Sequence, residues 1–402
     1  MSGHRPEVAD VIRSYAKVFL EAYGCSAEQR KVLRDLAQCR TSALGGHKYR
    51  CDSEPCGHEK IVYNSCGNRH CPKCQAAARA EWLEQRQKDL LEVPYFHVVF
   101  TVPNELGPLA LQNKKLIYGI LFRAASQTLL TIARDPKHLG AQIGFLSVLH
   151  TWGQNLHLHP HLHCVVPGGG LSLDGQSWVS CKENFFLPVR VLSRLFRGKF
   201  LSYLQSAFAS DELRFFGQLR ELAQPSSWEA LLRQARSSEW VVYSKRPFGG
   251  PEQVLKYLAR YTHRVAISNQ RLVSLEDGRV CFRYKDYARG NRQRTMRLQA
   301  TEFIRRFLLH VLPSGFMRIR YYGLMANCHR REKLAHARQL LGEQTHNTTH
   351  SDDDKPPEEL AGGGSDDDME LCPKCKKGRL RLVALIERQP QLNPSPPTFD
   401  TS

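Results

Sequence analysis

Apolar residues recur at helical spacing near the start of the chain. Val8, Val11, Ile12, Tyr15, Phe19 and Leu20 mark residues 1 to about 35 as one or two amphipathic helices. Residues 75–92, rich in alanine with Trp82 and Leu83, predict another helix. After Pro94 the pattern shortens to a strand, Phe96-His-Val-Val-Phe-Thr-Val102. A long helix follows over Lys114–Arg134, and its apolar stretch, Leu116 to Ala133, is broken by Arg123 and Gln127, too polar to span a bilayer. Ile143–His150 predicts a second strand, and a third runs through His163-Cys-Val-Val into Pro167-Gly-Gly-Gly170. Residues 188–237 read as several helices inserted before the strand pattern resumes at Trp240-Val-Val-Tyr243. Gly249-Gly-Pro251-Glu252 starts a helix, with proline in its first turn and an acid at the positive end of its dipole. Arg271–Asp286 is a hairpin around an Asp277-Gly278 turn, followed by a helix (Glu302–Leu312), a strand (Met317–Gly323) and a closing helix (Arg331–Leu341). The order strand, helix, strand, strand predicts an α+β fold, an antiparallel sheet flanked by helices.

Charge adds a partner to this outline. The 402 residues hold 57 Lys and Arg against 39 Asp and Glu, a formal net charge of +18. Such an excess suits a polyanion, because clustered cations displace counterions from phosphates. Acidic triplets at Asp352–Asp354 and Asp366–Asp368 lie near the C-terminus, so the upstream body is more basic than the total. Nucleic acid is the leading partner. An anionic membrane would call for a basic amphipathic helix with an exposed apolar face, which the pattern does not supply, so no membrane partner is expected. Met1-Ser-Gly-His-Arg-Pro6 lacks the apolar core of a secretory signal, and thirteen cysteines, seven of them between Cys25 and Cys74, point to metal thiolates in a reducing cytoplasm.

The cysteines have zinc spacing. Cys51-Asp-Ser-Glu-Pro-Cys56 and Cys71-Pro-Lys-Cys74 form two short pairs that can hold one structural zinc, while Cys39, His47, Cys66 and His70 supply a second candidate set. Lys48, Arg50, Lys60, Arg69 and Lys73 between the ligands suit either DNA contact or a solvated surface. Residues 1–80 thus form a small zinc-binding module ahead of a domain at 81–343, with its helical insertion near 188–237. Residues 344–402 read as an acidic linker, a half zinc knuckle at Cys372-Pro-Lys-Cys375 with no second cysteine pair nearby, and a disordered tail from Gln389.

Five histidines crowd the segment from His150 to His163. In an extended chain His161 and His163 project from one side and Leu162 from the other. Folding Ile143–His150 back through Gly153-Gln-Asn155 brings His150 beside them. Three neutral imidazoles on one face suit zinc, manganese, iron or nickel, where magnesium prefers oxygen. His159 stands in reserve, His157 is the bystander, and His97 is assigned to packing. Farther on, Tyr257 and Tyr261 stand four apart, on one face of the predicted helix, among Lys256, Arg260, His263 and Arg264. Such a pair alone suits core packing; beside a metal site in a basic protein it reads as a pair of nucleophiles. On the Arg271–Asp286 ribbon, Arg283 and Lys285 alternate with Phe282 and Tyr284, giving one basic face to track a nucleic-acid backbone.

Taken together, Tyr63-Asn-Ser-Cys66-Gly-Asn-Arg-His70-Cys71-Pro-Lys-Cys74, His150-Thr-Trp-Gly, His159-Pro-His161-Leu-His163 and Tyr257-Leu-Ala-Arg-Tyr261-Thr-His-Arg-Val-Ala-Ile-Ser268 resemble the two-tyrosine rolling-circle transposases of the insertion-sequence 91 family, in order, from about residue 35 to 340. The resemblance implies an HUH-type fold and endonuclease. His161 and His163 form its His-hydrophobic-His motif, His150 is the third ligand of a divalent ion (magnesium or manganese), and Tyr257 and Tyr261 attack single-stranded DNA at transposon ends and target to leave 5′-phosphotyrosines. Lys256, Arg260, Arg264, Arg283 and Lys285 would contact that DNA. A bacterial, nucleoid-associated protein, and a candidate homo-oligomer, follows from the same likeness. Two other readings fit parts of the pattern: a plasmid replication initiator or relaxase-like nickase, and a zinc-finger regulator without catalysis.

Overall fold

The computed structural model describes residues 5–77, 88–183, 186–245, 254, 265–286, 290, 292–342 and 370–389. In chain order its strands are β1 (Gly46–Cys51), β2 (Glu59–Tyr63), β3 (Tyr95–Thr101), β4 (Ala141–Gln142), β5 (Gly144–Trp152), β6 (Leu158–Pro167), β7 (Gly169–Ser172), β8 (Trp178–Ser180), β9 (Val242–Lys245), β10 (Leu272–Glu276), β11 (Arg279–Asp286), β12 (Arg292–Gln299), β13 (Ile319–Gly323) and β14 (Leu380–Ile386). The helices are α1 (Val8–Ala22), α2 (Ala27–Gln38), α3 (Gly107–Gln112), α4 (Lys114–Arg134), α5 (Val189–Ala209), α6 (Pro225–Ser237), α7 (Ala300–Leu309) and α8 (Arg330–Leu340). The fold is α+β, as the hydrophobic pattern predicts.

The organising layer is a five-stranded sheet in the order β13-β5-β6-β3-β9, antiparallel throughout. Alternation sends Phe145 and Leu149 of β5, Leu162, Cys164 and Val166 of β6, and Phe96, Val98 and Phe100 of β3 into one large core. There they meet α4 and α5. Helix α4 is apolar and long enough to cross a membrane, yet it spends that surface on the sheet: Ile117, Leu121, Phe122, Ala125 and Leu129 are fully buried. Each of the larger side chains, Ile117, Leu121, Phe122 and Leu129, contributes about 1.5–3 kcal/mol. The helices of 188–237 belong to the same core, with Phe196 edge-on to Trp240, Phe200 tilted against it, and Phe208 stacked on Trp228.

The opposite face of the sheet carries Leu146 and Val148 of β5, Val165 of β6 and Tyr95 of β3, packed with Met325 and Val254. Close approach fixes the chain at its edge. A Cβ on Gly323, whose φ is +61°, would fall 1.9 Å from the Ile143 carbonyl oxygen, so only glycine fits.

A second core joins segments that the sequence pattern treats as separate. Helices α1 and α2 start with capping boxes at Glu7/Asp10 and Ser26/Gln29. They bury Val8, Ile12, Phe19, Val32 and Leu36 against Val280 and Phe282 of the β10-β11-β12 sheet and Phe303, Ile304 and Phe307 of α7. Cys39, Cys71 and Cys74 lie in that same core, so the cysteine module is one wall of the body. Asp277 and Gly278, at φ of 49° and 70°, make the expected two-residue turn between β10 and β11. β12 pairs along its length with β11 as the third strand of that sheet.

The C-terminal segment departs furthest from expectation. Instead of a half knuckle apart from the body, residues 370–389 return to the N-terminal module, where β14 pairs antiparallel with β1 to give the sheet β14-β1-β2. The Asp-rich stretch and the Pro-rich end fall outside the described residues.

Candidate metal centre and cysteine clusters

The histidine site is built by the register of two strands. β5 and β6 pair so that His150 lies directly opposite His161, while Val148 faces His163. Period-two alternation does the rest: His150, His161 and His163, with His97 of β3, leave the helix-covered face and share the other. One nitrogen from each of His150, His161 and His163 lies within 4.8 Å of the others. His150 and His163 are buried, and His150 stacks on Trp152 at 4.7 Å between ring centroids.

Hydrogen bonds orient two of these rings. His161 Nδ1 lies 2.6 Å from the His159 carbonyl oxygen. A carbonyl only accepts, so Nδ1 carries the proton and Nε2 keeps its lone pair. His161 Nε2 and His163 Nε2 are 3.0 Å apart. Two nitrogens about 2.1 Å from one ion and at right angles to each other would be about 3.0 Å apart, so the donor set fits a divalent metal. His163 Nδ1 in turn lies 2.7 Å from His97 Nε2. Burial, and then the positive charge of Lys245, holds His97 down to about 4, which keeps its ring neutral and able to accept. The ring assigned to packing is thus a partner of the site.

The hairpin tip is pinned from the second core. Leu156, at φ 63° and fully buried, inserts among Phe303, Phe307 and their neighbours. His310 at the end of α7 touches Thr151 Oγ1 at 3.2 Å and the Leu156 carbonyl at 3.1 Å. Arg271 donates to the Gln154 carbonyl and Arg306 to that of Asn155. Sequence reasoning missed His310, Arg271 and Arg306 altogether. The one available signal was a histidine inside the apolar run Phe307-Leu-Leu-His-Val-Leu312. His157, expected to stand aside, lies outside the group of three and contacts the Asn155 side chain beside the turn.

The cysteines regroup. Cys39, Cys66, Cys71 and Cys74 form one cluster and Cys51, Cys56, Cys372 and Cys375 another. The pairing of Cys51 and Cys56 with Cys71 and Cys74 is therefore corrected. In the first cluster the sulfur separations are 3.7 Å (Cys39–Cys74), 3.6 Å (Cys39–Cys71) and 3.6 Å (Cys66–Cys74). Four thiolates about 2.3 Å from a tetrahedral zinc are about 3.8 Å apart, so the set fits the ion. His47 and His70 are ligands of neither cluster. His47 sits within β1 opposite Val62 and Leu385. His70 is drawn towards the body, where its Nε2 accepts from the Leu312 backbone N–H at 3.5 Å, and burial pushes it down to about 3.

The cations between these ligands are largely occupied. Lys48 and Arg50 pair with Glu59, Lys60 with Glu370 and Lys73 with Glu7, while Arg69 donates to the carbonyls of Pro313 and Phe316. These bonds tie the module together. On the ribbon, Arg283 and Lys285 share their face with Arg297 and Thr295, away from buried Phe282. Tyr257, Tyr261, Lys256, Arg260 and Arg264 lie outside the described residues; Val254, just before them, packs on the histidine face against Val148 and Val165.

Comparison with known proteins places these features. Residues 11–102 match the IS91 transposase zinc-binding domain, and residues 144–333 match the Y2_Tnp family, described as "Putative transposase". The chain is 53% identical over 388 residues to "Putative transposase y4qJ" of Sinorhizobium fredii (strain NBRC 101917 / NGR234), covering 96% of this chain and 97% of that protein. It is 30% identical over 309 residues to the "Transposase for insertion sequence element IS801" of Pseudomonas savastanoi pv. phaseolicola, covering 77% and 73% respectively. Among solved structures, the conjugative relaxase TrwC in complex with oriT DNA, in metal-bound and copper-bound forms, matches at 13% identity with TM-scores of 0.23 and 0.22, over 42% of this chain and 71% of the relaxase chain.

Proposed function

The chain belongs to the insertion-sequence 91 family of transposases, and on that footing we propose that it nicks and rejoins single-stranded DNA by rolling-circle chemistry at the histidine face. The observation that carries this reading is the convergence of His150, His161 and His163, with His161 Nε2 and His163 Nε2 at the separation expected of adjacent ligands on one ion. Three imidazoles favour manganese over magnesium among the candidate ions. When bound there, the ion supplies Lewis-acid polarisation of the scissile phosphate.

The chain's own residues do the rest. The His159 carbonyl and His97 hold the ligand rings in the tautomer that presents Nε2. Tyr257 or Tyr261 attacks phosphorus: the phenol gives up its O–H proton, a tyrosyl O–P bond forms, the P–O3′ bond breaks, and the released 3′-oxygen takes up a proton to become a free hydroxyl. The phosphotyrosine conserves the phosphodiester energy, and the second tyrosine permits a second transfer before the first end is released. Val254, three positions before Tyr257, lies on the histidine face, which supports placing the nucleophiles at this site. The basic face of Arg283, Lys285 and Arg297 suits the phosphate backbone of a bound strand.

The test is a denaturation-resistant adduct between the protein and single-stranded DNA in the presence of manganese. Wild type should form it, and His161→Ala, or Tyr257→Phe combined with Tyr261→Phe, should abolish it. An adduct surviving in both variants refutes the mechanism. DNA binding with no adduct in wild type would instead fit a non-catalytic regulator. Strand joining restricted to one element's terminal sequences separates a transposase from a replication initiator or relaxase.

A further inference from the structure

The second cysteine cluster joins two ends of the chain. Cys51 Sγ lies 3.7 Å from Cys375 Sγ, and Cys56 Sγ lies 3.7 Å from Cys372 Sγ, across 324 and 316 residues of sequence. These separations are well beyond a disulfide bond, about 2.05 Å, and match the edge of a tetrahedral zinc thiolate, about 3.8 Å. We propose that Cys51, Cys56, Cys372 and Cys375 bind a second structural zinc ion that fastens the C-terminal segment to the N-terminal sheet. The proposal stands apart from the catalytic reading above.

The surroundings are shaped for it. Cys372 and Cys51 are buried, with Leu380 beside them. The Cys372–Gly378 turn is closed by backbone bonds from Cys372 N to Gly378 O and from Lys376 N to Cys372 O, with Lys376 at φ 56°. The Gly378 N–H points at Cys375 Sγ at 3.3 Å, a donor that favours the thiolate. A Cβ at Gly378 would lie 2.6 Å from Cys51 Sγ, so glycine lets the two halves of the site meet.

Contacts outside the sulfurs fix the same docking. Arg379 N donates to Asp52 Oδ1 at 2.7 Å, Arg381 pairs with Asp52 at 3.2 Å, and β14 runs along β1 from Cys51↔Leu380 to Gly46↔Ile386. The strand pairing alone is weak. β14 exposes Leu382, Val383 and Leu385, so it buries little of its own apolar surface, and an edge strand with few buried side chains gains little beyond its backbone bonds. Zinc supplies what the core does not. Cys51 and Cys56, read without the C-terminal segment, are half a site.

Full-length protein is expected to carry two zinc ions per chain, one for each four-cysteine cluster. Cys372→Ser with Cys375→Ser should reduce this to one. One zinc in wild type, or two in the double variant, overturns the proposal. A second measurement guards against simple misfolding: a protease site placed within residues 344–369, cut in the otherwise intact protein. The fragment from 370 onward should co-elute with the body when zinc is bound and separate from it after chelation. It should also separate, with zinc present, in the Cys372→Ser, Cys375→Ser protein. Co-elution that survives both treatments would mean that strand pairing alone holds the segment, and the proposal would fail.

Discussion

His97→Phe gives a direct reading of how the metal centre is oriented. The His97 ring stacks on His163 at 4.9 Å with planes 10° apart, and its Nε2 faces His163 Nδ1 at 2.7 Å. Phenylalanine keeps the flat ring and the burial but removes the acceptor. The Nδ1–H of His163 is then left unpaired in a buried site whenever Nε2 is on the metal, at a cost of about 1–3 kcal/mol. Loss of such an outer hydrogen bond typically weakens metal affinity about 10–100-fold, which is the same range at about 1.4 kcal/mol per tenfold. Titration of manganese into the purified protein, by calorimetry, should show that loss, with the thermal midpoint of the metal-free protein nearly unchanged. His97→Gln, which restores an acceptor, should recover part of the affinity. Unchanged affinity in a folded His97→Phe protein would refute an orientation of His163 set by its Nδ1–H donating to His97.

Two further outcomes follow from the second core. Leu156→Ala removes a fully buried side chain at the tip of the histidine hairpin and should cost about 2–5 kcal/mol in urea unfolding, whereas a loss below about 0.5 kcal/mol would show that the tip is not anchored there. Burial holds His310 down to about 3 from an ordinary 6.5, so below that ordinary value the unfolded chain takes up a proton that the fold refuses. Stability should therefore fall as pH drops from about 6.5 towards 3, by up to about 1.4 kcal/mol per unit from this group, and His310→Gln should flatten that slope in pH-dependent denaturation.

The match between expectation and structure divides along lines of sequence distance. The strand-hairpin reading of residues 143–166 placed three histidines together because each step was local: a two-residue period, a short turn, an antiparallel partner. His97 and His310 were not legible, since each reaches the hairpin from an element distant in sequence, and a lone histidine in an apolar run has the same signature whether it packs or orients a ligand. Two cations of the cysteine module illustrate a related reason. Lys60 and Lys73 find their partners Glu370 and Glu7 far along the chain, so the sequence could not distinguish a free cation from a paired one.

By itself the sequence determined the α+β layering, the face on which His150, His161 and His163 stand, and the existence of thiolate pairs with zinc spacing. Those features rest on periodicity and short loops, which neighbouring residues set. Only the tertiary structure decided which pairs share an ion. A tetrahedral site constrains the distance between sulfurs and is indifferent to the chain between them, so Cys71 and Cys74 could close with Cys51 and Cys56 or with Cys39 and Cys66 on spacing alone. The shared core of α1, α2 and α7 settles the second choice, and the return of β14 to β1 brings Cys372 and Cys375 to the remaining pair.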